Sequence, residues 1–311
     1  MRLIFLGTPA FAVPTLQRVA AAGHSVLMVV TQPDRPRGRG QNAAPPPVKQ
    51  AALRLGLPVY QPERVRRPEA VEHLGAIPVD VMVVVGYGQI IPQSIIDMAP
   101  MGIINVHGSL LPKYRGAGPI QWAILNGETR TGVTTMRIDA GLDTGDMLLK
   151  AETDIGPDET AVELGQRLAV MGADLLVETL AGLEAGRIVP EKQDHALATY
   201  APLLKKEDGG IVWARDAGAI HNQVRGLQPW PGASTGFRGQ ALHIWRSRLW
   251  SGSPPGAPGA FVSLKPPVVS CGAGALELVE VQLEGRKRIS AADFANGQRL
   301  TENDHLGDAP A

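Results

Sequence analysis

The 311-residue chain has little of several features that define common classes of protein. A single cysteine, Cys271, excludes a disulfide framework and any zinc or iron–sulfur site built from cysteines. The chain has no run of about eighteen apolar residues, so no transmembrane helix is predicted. It also has no net charge, since 30 basic residues balance 30 acidic ones, which excludes a uniformly basic chromatin-type protein.

The first residues predict a buried strand and not a targeting segment. The apolar stretch Leu3–Leu6 is too short for a secretory signal peptide, and its surroundings lack the arginine and serine of a transit peptide. Together with the single thiol, this predicts a cytoplasmic protein. The length of the chain predicts two domains.

Short apolar runs alternate with helical patterns over the first two thirds of the chain. Strands are predicted at 3–6, 25–31, 79–85, 102–107 and 132–139, and helices at 14–22, 48–55 and 161–181. The run at 79–85 is apolar at nearly every position, which is typical of a strand covered by helices on both faces. The alternation predicts an α/β domain with a doubly wound, mostly parallel, Rossmann-like sheet.

The pattern changes after about residue 185, where helical periodicity weakens and short predicted strands are separated by glycine and proline turns. These strands lie at 242–249, 259–264, 268–271 and 275–282. They predict a small β-barrel or sandwich. We therefore expect a first domain at 1–188, a linker at 189–204 and a C-terminal domain at 205–311.

A long basic loop spans residues 32–49 and reads QPDRPRGRGQNAAPPP over its first sixteen residues. It carries Arg35, Arg37, Arg39 and Lys49, with no acidic residue between the first and the last of them. Its prolines exclude a helix or a central strand. Two interpretations remain open, a solvated insertion and a mobile arm that binds phosphates.

Three polar residues could form a catalytic site. Asn105 and His107 are two residues apart near the end of a predicted strand, so their side chains share one face. An amide can stabilise a developing oxyanion, and an imidazole can exchange a proton near neutral pH. Asp143, in the turn Gly-Leu-Asp-Thr-Gly, is the candidate that orients the imidazole. The alternative is a polar strand end without chemistry.

The run NVHGSLLPKYRGAGPIQ at 105–121, followed by GLDTG at 141–145, resembles the 10-formyltetrahydrofolate-dependent formyltransferases. The opening FLGTPAFAVPTL and the segment TQPDRPRGRG narrow the resemblance to members whose acceptor is methionyl initiator tRNA. The resemblance covers essentially the whole chain and is strongest over residues 1–150. Gly118, where we would expect alanine, departs from the family pattern beside the motif.

The resemblance implies formyl transfer from 10-formyltetrahydrofolate to the α-amino group of the methionyl ester, a step in translation initiation. Asn105 and His107 would hold the tetrahedral oxyanion, and Asp143 would support the imidazolium and assist proton removal. No metal is required. The donor would lie against Gly86, Tyr87, Gly88, Gln89, Ile90, Ser109, Leu110, Leu111 and Pro112.

The resemblance also implies that the C-terminal domain is OB-like and binds the tRNA. The residues expected to contact tRNA are Arg35, Arg37, Arg39, Lys49, Lys205, Lys206, Arg246, Arg248, Arg286, Lys287 and Arg288. An ordinary solvated turn is the alternative for the last three. We further expect a monomer that binds neither DNA nor membrane, and we expect Trp230, between two prolines, to fill the core of the C-terminal domain.

Other functions remain open from the residues alone. A sugar-nucleotide N-formyltransferase or a formyltetrahydrofolate hydrolase-type domain would share the three polar residues, but neither needs a basic surface. A tRNA-binding module without activity would not need Asn105, His107 and Asp143. A nicotinamide oxidoreductase is disfavoured because Gly86-Tyr87-Gly88 lacks the third glycine of the dinucleotide motif.

Overall fold

A computed structural model describes residues 1–37, 42–252 and 256–307 of the chain. The strands are β1 Arg2–Gly7, β2 Ser25–Val30, β3 Arg35–Arg37, β4 Asn42–Ala44, β5 Val59–Tyr60, β6 Val81–Val85, β7 Ile103–His107, β8 Arg115–Gly116, β9 Arg130–Arg137, β10 Met147–Asp154, β11 Tyr200–Ala201, β12 Ala233–Phe237, β13 Gln240–Trp250, β14 Phe261–Leu264, β15 Pro267–Ser270, β16 Ala275–Leu283 and β17 Ile289–Ser290. The helices are α1 Val13–Ala21, α2 Pro47–Arg54, α3 Pro68–Gly75, α4 Gln93–Ile96, α5 Pro119–Leu125, α6 Ala161–Glu184, α7 Ala217–Gly226 and α8 Ala291–Gln298.

The chain packs into two units. The first comprises Met1–Gly116, Thr131–Thr153 and Gly165–Ala201, and the second comprises Ala117–Arg130, Asp154–Leu164 and Pro202–Ala311. This division describes packing within the folded chain. The expected bounds, a first domain at 1–188, a linker at 189–204 and a C-terminal domain at 205–311, stay a prediction.

The first unit contains a seven-stranded sheet in the order β10-β9-β7-β6-β1-β2-β5. The strands from β7 to β5 run parallel, and β9 is antiparallel to β7. The chain order reverses between β1 and β6, the point at which open α/β sheets bind their ligands beyond the carboxyl ends of the strands. The predicted doubly wound, mostly parallel sheet is confirmed.

Alternate residues of the central strands supply the cores on the two faces of this sheet. Leu3 and Phe5 of β1 pack in one core, which also contains Leu176 of α6. Ile4 and Leu6 pack in the other core. Since both faces are covered, β1 and β6 are apolar at nearly every position, as the sequence of β6 indicates.

Part of the basic loop forms a small two-stranded ribbon. β3 and β4 pair antiparallel with each other and form their own two-stranded sheet. Pro36 lies within β3, which is compatible with an edge strand and not with a central one. Arg39 falls in 38–41, outside the described residues.

The second unit contains an antiparallel sheet in the order β12-β13-β16-β15-β14, with β17 added to β16. The sheet is consistent with the small β-barrel that the sequence predicts. Its helices α7 and α8 were not predicted, and neither were α3, α4 and α5 earlier in the chain. Both α7 and α8 begin with a side-chain cap. The Asp216 carboxylate accepts from the backbone amides of Gly218 and Ala219, and the Ser290 hydroxyl accepts from the backbone amide of Asp293.

The prediction that Trp230 fills the core of this unit is wrong, since its side chain is 54% exposed. Trp213 occupies the core instead, at 4% exposure, and its indole Nε1 donates to Thr235 Oγ1 at 2.9 Å. Trp230 lies in the turn between α7 and β12, where the flanking prolines set the path of the backbone and leave the ring outside.

Candidate active site

The carboxyl end of β7 carries two buried polar side chains. Asn105 is 8% exposed and His107 is 6% exposed. Asn105 lies between Val84 of β6 and Met136 of β9. The strand alternation that predicts a common face for Asn105 and His107 therefore places them together at the carboxyl end of β7, one strand away from the reversal point between β1 and β6.

The carboxylate of Asp143 meets both side chains. Asn105 Nδ2 lies 3.5 Å from Asp143 Oδ1, and His107 Nδ1 lies 3.8 Å from Asp143 Oδ2. The backbone N–H of Gly116 donates to the same Oδ2 at 2.9 Å. The structure thus brings together the three residues that the sequence singled out, and it adds a backbone donor that the sequence did not reveal.

One nitrogen of the His107 ring is already engaged. Nε2 lies 2.8 Å from the carbonyl oxygen of Tyr114, which can only accept, so Nε2 carries a hydrogen. The other nitrogen, Nδ1, faces the Asp143 carboxylate. A neutral ring would present a lone pair at Nδ1, and a protonated ring would form an ion pair with Asp143. Proton exchange at this site would therefore take place at Nδ1.

The loop after β7 is braced by buried hydroxyl groups. Ser109 Oγ donates to the carbonyl of Lys113 at 2.6 Å, and Thr134 Oγ1 donates to the carbonyl of Ser109 at 2.7 Å. Thr134 Oγ1 also accepts from the N–H of Leu111 at 3.1 Å. Of the four residues of this loop predicted to contact the donor, Ser109 and Leu111 are buried, whereas Leu110 and Pro112 are half-buried and remain accessible.

The second expected wall follows β6. Gly86 and Gly88 have φ of 56° and 83°, and a Cβ on Gly86 would lie 2.9 Å from Pro9 Cγ, so glycine is required there. The Tyr87 phenol is buried without a hydrogen-bond partner, and burial raises its pKa. Tyr87 therefore belongs to the core, whereas Ile90 is 83% exposed.

A cavity of about 300 Å³ adjoins this wall. Gly88, Gln89 and Ile90 line it together with three arginines, Arg35, Arg64 and Arg66, and with Gln32 and Glu63. Arg64 and Arg66 were not predicted as site residues. Their signal in the sequence is the short basic run Arg64-Val65-Arg66-Arg67.

The basic residues of the loop at 32–49 differ in their availability. Arg35 is exposed. Lys49 is half-buried, and its Nζ lies 2.7 Å from Asp34 Oδ2. Two hydrogen bonds, the larger effect from Gln61 and the next from Lys49, hold the pKa of the Asp34 carboxyl below its usual range. Asp34 lies just before the basic run and pairs with its last residue, Lys49. The loop therefore carries less unpaired positive charge than the run from Arg35 to Lys49 alone suggests.

The basic residues of the second unit that are predicted to contact tRNA are exposed, but two of them are paired with acids. Arg246 Nη2 lies 3.0 Å from Glu163 Oε1. Arg288 lies 3.4 Å from Glu280 and 4.0 Å above the ring of Trp245. The remaining basic residues singled out from the sequence are Lys205, Lys206, Arg248, Arg286 and Lys287, all on the surface.

The described ranges contain neither a metal-binding cluster nor a membrane-spanning helix. No group of three or more His, Cys, Asp or Glu side chains in those ranges has an arrangement that could bind a metal ion. Among the helices described, none combines the length and the apolar character that a bilayer-spanning segment requires.

Comparison with known proteins gives matches along almost the whole chain. Residues 1–180 match the formyl transferase family and residues 203–299 match the formyl transferase C-terminal domain. A methionyl-tRNA formyltransferase of Solibacter usitatus is 74% identical over 308 residues, which cover 99% of each chain. A methionyl-tRNA formyltransferase of Koribacter versatilis is 56% identical over 312 residues, again covering 99% of each chain.

Among solved structures, the fold is similar to that of an N-formyltransferase from Helicobacter canadensis in complex with folinic acid and dTDP-3-aminofucose. The TM-score is 0.66 at 18% identity, and the match covers 92% of this chain and 99% of the other. At this identity the likeness concerns the fold alone.

Proposed function

We propose that this chain, which belongs to the methionyl-tRNA formyltransferase family, transfers the formyl group of 10-formyltetrahydrofolate to the α-amino group of methionyl initiator tRNA. The relatives at 74% and 56% identity are named methionyl-tRNA formyltransferases, and they match this chain over 99% of their length. This favours methionyl-tRNA as the acceptor over a sugar nucleotide or water. The observation that carries the proposal is the meeting of Asn105, His107 and Asp143 in one buried site of such a chain.

Each of the three side chains has a role in this proposal. Asn105 Nδ2 donates to the oxygen of the formyl group as negative charge develops on it. His107 Nδ1, the ring nitrogen not bound to the Tyr114 carbonyl, exchanges the proton. Asp143 stabilises the imidazolium and accepts, directly or through water, from the attacking amine. Gly116 N–H holds the carboxylate in place.

The formyl donor would lie against two loops, the one after β6 that carries Gly86 and Gly88 and the one after β7 that the hydroxyl groups of Ser109 and Thr134 brace. Backbone groups of Gly86 and Gly88 are accessible at close range because neither residue has a Cβ. Leu110 and Pro112 supply apolar contact, whereas Tyr87, Ser109 and Leu111 act from beneath as buried supports. The cavity beside Gln89 and Ile90 extends this surface.

The tRNA is a polyanion, so the exposed basic residues supply its binding surface. We assign the first contacts to Arg35, Arg37 and Arg39 of the basic loop and to the exposed Lys205 and Lys206. Arg248, Arg286 and Lys287 extend this set. Arg246, Arg288 and Lys49 contribute less, since each is paired with a carboxylate. We further propose a cytoplasmic monomer that does not bind DNA.

Incubation with 10-formyltetrahydrofolate and methionyl initiator tRNA tests the proposal. The expected product is formylmethionyl-tRNA, detected after mild hydrolysis of the ester as formylmethionine. An amino-sugar nucleotide serves as the competing acceptor. Formylation of the sugar, or release of formate without transfer, would overturn the proposed acceptor and leave the formyl transferase family intact.

A further inference from the structure

Gln193, in the segment after α6, makes four hydrogen bonds with its side chain although it is only 5% exposed. Its Oε1 accepts from Arg115 Nε at 3.0 Å and from Arg115 Nη2 at 2.7 Å. Its Nε2 donates to the carbonyls of Asp143 and Gly145, both at 2.8 Å. A guanidinium only donates and a carbonyl only accepts, so this amide has one possible orientation.

The backbone on either side of Gln193 is fixed. Glu191 and Met147 exchange two backbone hydrogen bonds of 2.8 Å, as in an antiparallel pair. Two residues beyond Glu191, the side chain of Gln193 binds the carbonyl of Gly145. Beyond Gln193, Tyr200 of β11 pairs with Arg115 of β8. The residues from Glu191 to Tyr200 therefore join the turn that carries Asp143 to the strand that follows the β7 loop.

The turn that carries Asp143 requires such support. Asp143 has φ of 52°, a left-handed conformation that residues with a Cβ rarely adopt. Its carboxylate is directed at His107 and at the amide of Gly116. A peptide in this conformation could relax and rotate the carboxylate away, unless its carbonyl is fixed. Gln193 holds that carbonyl and the one two residues later.

We propose that Gln193 is a positioning residue for formyl transfer, which sets the place of the Asp143 carboxylate beside His107. Arg115 orients Gln193 in turn. Arg115 is 2% exposed, and its guanidinium bonds to Gln193 and His195 and has no carboxylate partner among the described residues. The inference rests on the proposed function for the role of Asp143, whereas the arrangement of hydrogen bonds is independent of it.

Replacement of Gln193 by glutamate separates positioning from folding. The carboxylate keeps the shape and forms an ion pair with Arg115, but it loses both N–H donors and faces two carbonyl oxygens. We expect kcat to fall about 100-fold, as for a misplaced catalytic group, with KM for both substrates within about threefold of the wild type. Gln193→Asn, which is too short to reach the two carbonyls, should show the same loss.

Gln223 in α7 offers a matched control. It is also buried, and its Nε2 donates to the carbonyls of Asp208 and Gly210, both at 2.9 Å. Gln223→Glu therefore makes the same chemical change in the second unit, at a glutamine that donates to the carbonyls of Asp208 and Gly210 and not to those of Asp143 and Gly145. We expect it to lower the melting temperature at least as much as Gln193→Glu and to leave kcat within about twofold of the wild type.

A second readout does not depend on turnover. The Gly116 amide donates to Asp143 Oδ2, so its hydrogen-exchange rate, followed by NMR, reports the position of that carboxylate. We expect exchange at Gly116 to be at least about tenfold faster in Gln193→Glu and unchanged in Gln223→Glu. Wild-type exchange and kcat in Gln193→Glu would overturn the inference, as would an equal loss of kcat in Gln223→Glu. If the wild type formylates no methionyl-tRNA, the proposed function fails, and the exchange rates alone decide the role of Gln193.

Discussion

Replacement of Asn105 by alanine tests the proposed oxyanion donor. Within the described chain its side chain makes one hydrogen bond, the 3.5 Å contact with Asp143, which is too long to stabilise the fold strongly. Loss of a donor to a developing oxyanion costs about 100- to 1000-fold in kcat, or about 2.7–4 kcal/mol of transition-state stabilisation. We therefore expect kcat for formylmethionyl-tRNA synthesis to fall by that factor, with KM changed by less than about threefold.

The control for this experiment is Asn296→Ala, the same change at an exposed position of α8. It should leave kcat within about twofold of the wild type, and both variants should melt within a few degrees of it. An Asn105→Ala enzyme with less than about fivefold loss of kcat would refute the assignment of Asn105, because loss of an oxyanion donor costs about 100- to 1000-fold.

Three further outcomes are expected from other parts of the molecule. Binding of methionyl-tRNA should weaken by about 0.7 to 0.9 log units per log unit of salt for each phosphate contact. In salt titrations, the slope for Arg35→Ala should be smaller than that of the wild type by about one contact, and the slope for Arg246→Ala, which removes an ion-paired arginine, should change less. Burial lowers the pKa of His221 in the folded chain. As pH falls below about 6.5, the unfolded chain therefore binds more protons than the folded chain, and stability is lost in that range. Between pH 7.5 and 5.5, the melting temperature of His221→Gln should fall less than that of the wild type. In denaturant titrations, Trp213→Ala should cost about 3–5 kcal/mol of unfolding free energy, whereas Trp230→Ala should cost less than about 1 kcal/mol.

The sequence predicts the central part of the site because two periodic rules apply there. Residues two apart on a strand share a face, and parallel strands bind ligands beyond their carboxyl ends, so Asn105 and His107 are found from spacing alone. Asp143 follows from a carboxylate flanked by glycines. None of these features depends on contacts distant in the chain.

The contacts that the sequence does not reveal are long-range and depend on loop closure. The Tyr114 carbonyl selects which nitrogen of His107 is free, yet a backbone carbonyl leaves no trace in residue type. Gln193 lies 50 residues from Asp143 and looks like an ordinary polar residue of a connecting segment. The prediction that Trp230 fills the core was wrong for a different reason. Prolines on both sides of a residue do not determine on which side of the backbone its ring lies.

The pairing of Tyr200 with Arg115 bears on how this enzyme could be divided or recombined. Composition suggests that a catalytic fragment could end near residue 188, but such a fragment would lack Gln193 and the last strand of the segment that supports Asp143. A chimaera that exchanges the C-terminal half with that of another formyltransferase should therefore be joined after Ala201. Evolutionary shuffling of acceptor-binding modules onto this scaffold would face the same constraint.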